Sequence, residues 1–158
     1  KTAYEIYQCD WSSDVCSSDL NRMGWDIVSG SPVGEWVADR AGGKYHPDDS
    51  QAIGLTKDDE IIAGVIFERY NGESLWVHIA AEGRLTPAFI RAICNYAYID
   101  CDVNKTIATV SSGNVKSIRF VENMGFIEEG RVRDAAPDGD IIIYTMSKAN
   151  CRFINHGR

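Results

Sequence analysis

Three apolar runs rich in β-branched and aromatic residues, at 51–56, 61–70 and 74–81, are separated only by Lys57-Asp58-Asp59-Glu60 and by a turn at Asn71-Gly72. Connections this short make hairpins, so the chain is committed to an antiparallel meander of three strands in sequence order. Ahead of the meander, Val33, Trp36, Val37 and Ala41 share one face at helical spacing, after a Gly30-Ser31-Pro32 turn and before a Gly42-Gly43 stop. Residues 25–28 read as a short extended piece before that turn.

Beyond the meander the period changes. Thr86 can cap a helix whose first position is Pro87, where the missing N–H costs nothing, and Phe89, Ile90, Ile93, Cys94 and Ala97 form the apolar stripe. Residues 106–111 read as a strand, and 115–124 as a helix with Ile118, Val121 and Met124 along one side and Gly125 as a left-handed cap. Two more strands, 126–134 and 141–147, are joined by Pro137-Asp138-Gly139-Asp140. The order is helix, three strands, helix, strand, helix, two strands.

With 158 residues, 44% of them apolar, the chain can build one hydrophobic core and not two. We expect one domain over 21–148 and a C-terminal tail over 149–158. A formal net charge of −7 and a pI near 4.9 argue against holding nucleic acid by counterion release, though a local basic patch stays open. No apolar run approaches the roughly 20 residues of a membrane span, and the N-terminus lacks signal-peptide features, so a cytoplasmic protein is expected. Cys9, Cys16, Cys94, Cys101 and Cys151 have no paired spacing. They read as reduced thiols, with neither a metal site nor a disulfide framework.

The first twenty residues have no helical or strand period. Back-translated, 1–6 and 10–20 match the two constant blocks of an indexed sequencing adapter in one frame, with the variable index between them. These residues are expected to be translated adapter or a disordered leader, with the biological chain beginning near Met23. Without them the chain has 15 basic and 19 acidic residues and three cysteines.

Ala80-Ala81-Glu82-Gly83 ends a strand in small residues just before the helix start. Backbone N–H groups and the positive helix end converge there, with Arg84 as a mobile cation, which suits a phosphate ester. Most such starts simply cap a helix. The run Asn-Val-Lys-Ser-Ile-Arg-Phe-Val-Glu-Asn-Met-Gly-Phe over 114–126 resembles the final motif of the GNAT superfamily of N-acetyltransferases, and Glu129-Gly130 and the element order extend the likeness. Gly83 to Pro87, 114–126 and the 137–140 turn resemble compact members often encoded by bacteriophages.

The resemblance implies an α/β fold of mixed α+β type. A central, mostly antiparallel mixed sheet of about six strands is flanked by about three helices, as in acyl-CoA N-acyltransferases. It implies acetyl-CoA as co-substrate and a small-molecule or protein amine as acceptor, with no membrane and with a homodimer left open. The pyrophosphate would sit among Gly83, Arg84, Leu85, Thr86 and Pro87, and the pantetheine arm along Ile79, Ala80 and Ala81. Asn114 would bond the arm, while Ser117 and Phe120 line the far side; Asn114 can equally be a helix N-cap, and Phe120 and Phe126 core residues. The sequence departs from the family in two places. The pyrophosphate loop keeps only Gly83 of the usual glycine pattern, and Val121 stands where many members carry a tyrosine that protonates the departing thiolate.

Direct transfer needs an oxyanion donor, for which a backbone N–H near Ala80 is suited, and a route for the amine proton. His78, two residues earlier on the strand, is the first candidate base because imidazole titrates near neutral pH; it can instead be a strand histidine satisfied by a neighbour. Glu68 is the second, and can be a solvent-facing strand end. Tyr70 and Asp134 are candidates for shaping the acceptor pocket. The alternatives are a non-catalytic acyl-CoA-binding module and a phage enzyme acting on protein or nucleobase amines, for which Arg131 and Arg133 would be the basic patch. The source codons check the adapter assignment: codons for 10–20 that differ from the adapter's overturn it.

Overall fold

The computed structural model describes residues 23–156; the adapter-like segment lies outside them. The elements are β1 (Trp25–Ser29), α1 (Ser31–Ala41), β2 (Ser50–Lys57), β3 (Glu60–Glu68), β4 (Ser74–Ala81), α2 (Pro87–Asn95), a π-helical turn (Tyr96–Asp100), β5 (Lys105–Ser111), α3 (Val115–Met124), β6 (Ile127–Ala136), β7 (Gly139–Ser147) and a 3-10 turn (Lys148–Asn150). They form one seven-stranded sheet in the order β1-β2-β3-β4-β5-β7-β6. Only the β4–β5 pair is parallel.

The expected element order holds, with three adjustments. The extended piece before α1 pairs with β2 from Trp25↔Lys57 to Ser29↔Ile53 and becomes a full edge strand, giving seven strands rather than about six. The second apolar run stops at Glu68 rather than at Tyr70, because Arg69 takes a left-handed φ of 56° and leaves the ladder. The helix over the Phe89 stripe passes at Tyr96 into the π-helical turn, which buries Tyr96, Ala97 and Tyr98. The stops themselves are as read: Gly42 and Gly125 are left-handed caps, and Asn71 Oδ1 accepts from the N–H groups of Glu73 and Ser74 to close the β3–β4 turn.

Strand alternation divides the apolar residues between the two faces of the sheet. Ile53, Leu55, Val65, Phe67, Val77 and the β5 and β7 residues Ala108, Val110, Ile142 and Tyr144 join Phe89 and Ile93 of α2 and Val121 and Met124 of α3 in the main core. On the opposite face, Ala52 and Ile66 meet Val33, Val37 and Ala38 of α1. This second contact is close because Gly54 and Gly64 lie opposite each other in the β2–β3 ladder and leave a dent. A Cβ on Gly64 would lie 2.6 Å from Val37 Cγ2 and one on Gly54 2.8 Å from Val33 Cγ2. Arg40, stacked 3.9 Å over the Trp36 ring and paired with Glu82 at 2.6 Å, ties the far end of α1 to the segment after β4.

The residues after the 3-10 turn pack back on the domain, with Cys151 and Ile154 buried in the main core. The Cys94 thiol of α2 is hydrogen-bonded to Cys151, a contact that holds Cys151 below the usual thiol range and pushes Cys94 up. Among the described residues no disulfide joins Cys94, Cys101 or Cys151; Cys9 and Cys16 lie outside them.

Gly64→Ala should lower stability by about 1–3 kcal/mol in urea unfolding, since Val37 cannot retreat from the new methyl. Gly43→Ala, with open space around it, should stay within about 0.5 kcal/mol.

Candidate active site

The parallel ladder between β4 and β5 has three residue pairs, Ser74↔Lys105, Leu75↔Thr106 and Trp76↔Ile107. Beyond them the strands part, although each keeps its other neighbour: β4 stays paired to β3 as far as Ala63↔Ala81, and β5 to β7 as far as Ser111↔Ile141. The result is a wedge, walled on one side by Val77–Ala81 and on the other by Ala108–Ser111, whose facing edges have no ladder partner among the described residues. An extended chain carrying amide groups can add to such an edge by main-chain hydrogen bonds. Ile79, Ala80 and Ala81, expected along a pantetheine arm, form one wall. Beneath them Val77, Ile79, Ile93 and Phe126 line a small apolar void, part of the core rather than of the wedge.

At the top of β4 the chain turns into α2. Thr86 Oγ1 accepts the Phe89 N–H at 3.2 Å and Pro87 brings no N–H, so the cap and the proline quiet much of the first turn themselves. The preceding loop stays open. Among the described residues the N–H groups of Gly83, Arg84, Leu85 and Thr86 have no hydrogen-bond partner. A short loop of free amides beside a helix start, with exposed Arg84 on it, accommodates phosphate oxygens.

Across the wedge, Asn114 caps α3, its Oδ1 accepting the Ser117 N–H at 3.1 Å. The cap uses only the carbonyl oxygen, which leaves the side-chain NH2 group as a donor at the end of β5. Ser117 and Phe120 are half-buried along α3, whereas Phe126 is a core residue. Val121 is also in the core, 4% exposed, so its position offers neither a proton nor space for one.

The two candidate bases meet. Ile66↔His78 and Glu68↔Trp76 are cross-strand pairs, which places Glu68, Trp76, His78 and Ala80 on the sheet face that carries α1. His78 Nε2 lies 2.7 Å from Glu68 Oε1, with the side chains 37% and 19% exposed. With Glu68 ionised, Nε2–H donates to the carboxylate and the lone pair is left on Nδ1. Arg69 adds a cation 3.6 Å from the same Glu68 oxygen and stacks 5.3 Å over Trp76. Reading His78 and Glu68 as competitors misses this pairing, which follows from the β3–β4 register. Trp76 is a further member that the same register would have identified.

The remaining candidates are placed elsewhere. The left-handed Arg69 breaks the alternation after Glu68 and sends Tyr70 against the main core, off the His78 face. Asp134 sits in an irregular stretch of β6, its N–H bonded to Asp140 Oδ1. With β5 and β7 intervening in the sheet order, β6 lies three strand spacings from β4, at least about 14 Å. Arg131 is paired with Glu128 and Asp140, so with Arg133 it makes no free basic patch. The β6–β7 turn, by contrast, does reach the wedge rim: Asp138 bonds Ser111, and the Asp140 N–H donates to Ser112 Oγ at 2.8 Å. Among the described residues no cluster could hold a metal ion, and no helix is long and apolar enough to cross a membrane.

Comparison with known proteins bears on the fold. No family model matches the chain. Over 78 residues it is 30% identical to YdaF of Bacillus subtilis (strain 168), a protein named for ribosomal N-acetyltransferase activity, covering 46% of this chain and 43% of YdaF. The chain thus spans under half the length of that curated relative. A crystal structure of a probable acetyltransferase superimposes with a TM-score of 0.56 at 22% identity, over 64% of this chain and 62% of the other. Spermidine N-acetyltransferase of Vibrio cholerae, in complex with CoA and spermine, superimposes with a TM-score of 0.63 at 12% identity, over 84% of this chain and 99% of the other. The fold of this chain is that of the acyl-CoA N-acyltransferases.

Asn114→Ala should cost about 1 kcal/mol of stability by removing the α3 cap, whereas Asn114→Asp, which keeps a capping oxygen, should not. Thermal melts of both variants distinguish the two.

Proposed function

We propose that this chain transfers an acetyl group from acetyl-CoA directly to an amine nitrogen. The observation that carries the reading is the β4–β5 wedge: two strand edges left unpaired side by side, opening towards a loop of free N–H groups. The pantetheine amides would continue the ladder that β4 and β5 abandon. The pyrophosphate would lie on Gly83 to Pro87, and the Asn114 NH2 group would hold the arm from the opposite wall.

In the reaction the neutral amine attacks the thioester carbonyl, a C–N bond forms, the C–S bond breaks, and CoA leaves as thiolate. A backbone N–H on the free edge of β4 near Ala80 would bear the developing oxyanion, a contact able to lower the barrier by on the order of 3 kcal/mol. Nδ1 of His78 would accept the amine proton while Glu68 steadies the imidazolium at Nε2, the charge-stabilising role that a carboxylate plays behind a catalytic histidine. Because Val121 is core, the thiolate would take its proton from solvent. The acceptor amine, whether on a small molecule, a protein or a nucleobase, would approach from the α1 face, where His78, Glu68 and Trp76 lie.

Buried Val121 also favours a second reading, a module that binds acyl-CoA without turning it over.

Acetyl-CoA and CoA should raise the melting temperature, by about 2.7 kcal/mol of stabilisation at a hundred times Kd, and AMP should not. No shift with either ends the proposal. Mass-spectrometric acetylation of an amine panel separates enzyme from module, since binding without product favours the second reading. His78→Gln should lower kcat by about 10²–10⁴. Glu68→Gln should lower kcat with little change in KM for the amine. A His78→Gln enzyme with unaltered turnover removes His78 as the base.

A further inference from the structure

A groove of about 350 Å³ runs between α2 and the chain beyond the 3-10 turn, and three arginines line it: Arg84 from the loop before α2, Arg91 from the helix, and Arg152 from the C-terminal segment. No acidic residue contributes to its walls. Among the described residues none of the three arginines makes an ion pair, whereas Arg40, Arg69 and Arg131 all do. In a chain of net charge −7, three uncompensated guanidinium groups repel one another at a cost, and their convergence points to an anion that would relieve it. Arg152 is also held in place. Its Nη2 donates to the Asn123 carbonyl at the end of α3 and its guanidinium lies 4.7 Å over the Phe153 ring. The segment that carries it is anchored by buried Cys151 and Ile154. The rest of the wall includes Pro87, Ile90 and Phe153, an apolar surface of the kind a purine base lies against.

We infer that this groove receives the 3′-phosphorylated adenosine end of CoA, with Arg91 and Arg152 gripping the ribose 3′-phosphate, so that the protein distinguishes CoA from 3′-dephospho-CoA. The inference rests on the CoA reading above and extends it. The groove shares Arg84, Leu85 and Pro87 with the proposed pyrophosphate loop, so one ligand can occupy both. A dianionic phosphate meeting two arginines supplies charge-assisted, fork-like hydrogen bonds that the dephosphorylated molecule lacks. The C-terminal residues thereby become part of the binding site.

Calorimetric titration of the full chain with CoA, 3′-dephospho-CoA and adenosine 3′,5′-bisphosphate tests this without any acetyl transfer. CoA should bind at least about tenfold more tightly than 3′-dephospho-CoA. Arg91→Gln and Arg152→Gln should each narrow that gap by weakening CoA more than 3′-dephospho-CoA. Arg91→Gln is the safeguard should Arg152→Gln loosen the C-terminal segment, because Arg91 is exposed on the helix. Equal affinity for the two coenzymes in the wild-type chain overturns the inference and leaves the CoA reading standing, as does a gap unaffected by Arg91→Gln. Failure of both coenzymes to bind removes the two proposals together. Binding of adenosine 3′,5′-bisphosphate, weakened by the same substitutions, adds support.

Discussion

The parallel pairing of β4 with β5 lasts for three rungs, and the rest of the molecule is arranged around its early end. Buried strand edges without partners are costly, because each peptide group must find a hydrogen bond somewhere. Here each strand stays paired on its other side, with β3 and with β7, so the sheet holds together while the centre opens. The pantetheine amides of the proposed ligand would complete the sheet there. The site is therefore a defect in regular structure, held open by the regular structure around it.

The two faces of the sheet have different tasks. The main core, with α2 and α3, is a dense apolar layer that fixes the helix starts at Thr86 and Asn114 on either side of the wedge. The opposite face is covered by α1 over β1 to β4, seated in the Gly54–Gly64 dent, and beyond it the sheet presents Glu68, Trp76 and His78. His78 lies on β4, the strand with the free edge, and Glu68 on its neighbour β3, so the β3–β4 register brings the two together.

Much of this was legible from residue order. Turn chemistry at Asn71-Gly72, the Thr86-Pro87 start and the Gly125 stop are local events, governed by backbone conformations that neighbouring residues already dictate. The motif over 114–126 pointed to the fold, and superposition with acetyltransferase structures agrees. Where the reading fell short, the cause was distance along the chain. The short extended piece over 25–28 becomes an edge strand because β2 pairs with it, and Tyr70, expected to shape the acceptor pocket, packs against the main core because the left-handed Arg69 breaks the alternation.

What the sequence by itself determined about this protein is its list of elements, their order and the helix caps, because these follow from interactions within a few residues. The tertiary structure alone decided that Glu68 bonds His78 ten residues away, that β4 and β5 separate after Trp76, and that Arg152 joins Arg84 and Arg91 in one groove. Those outcomes depend on strand register and on the path of the chain after β7. Both are set by the packing of side chains far apart in sequence, a balance of many contacts that no local pattern encodes.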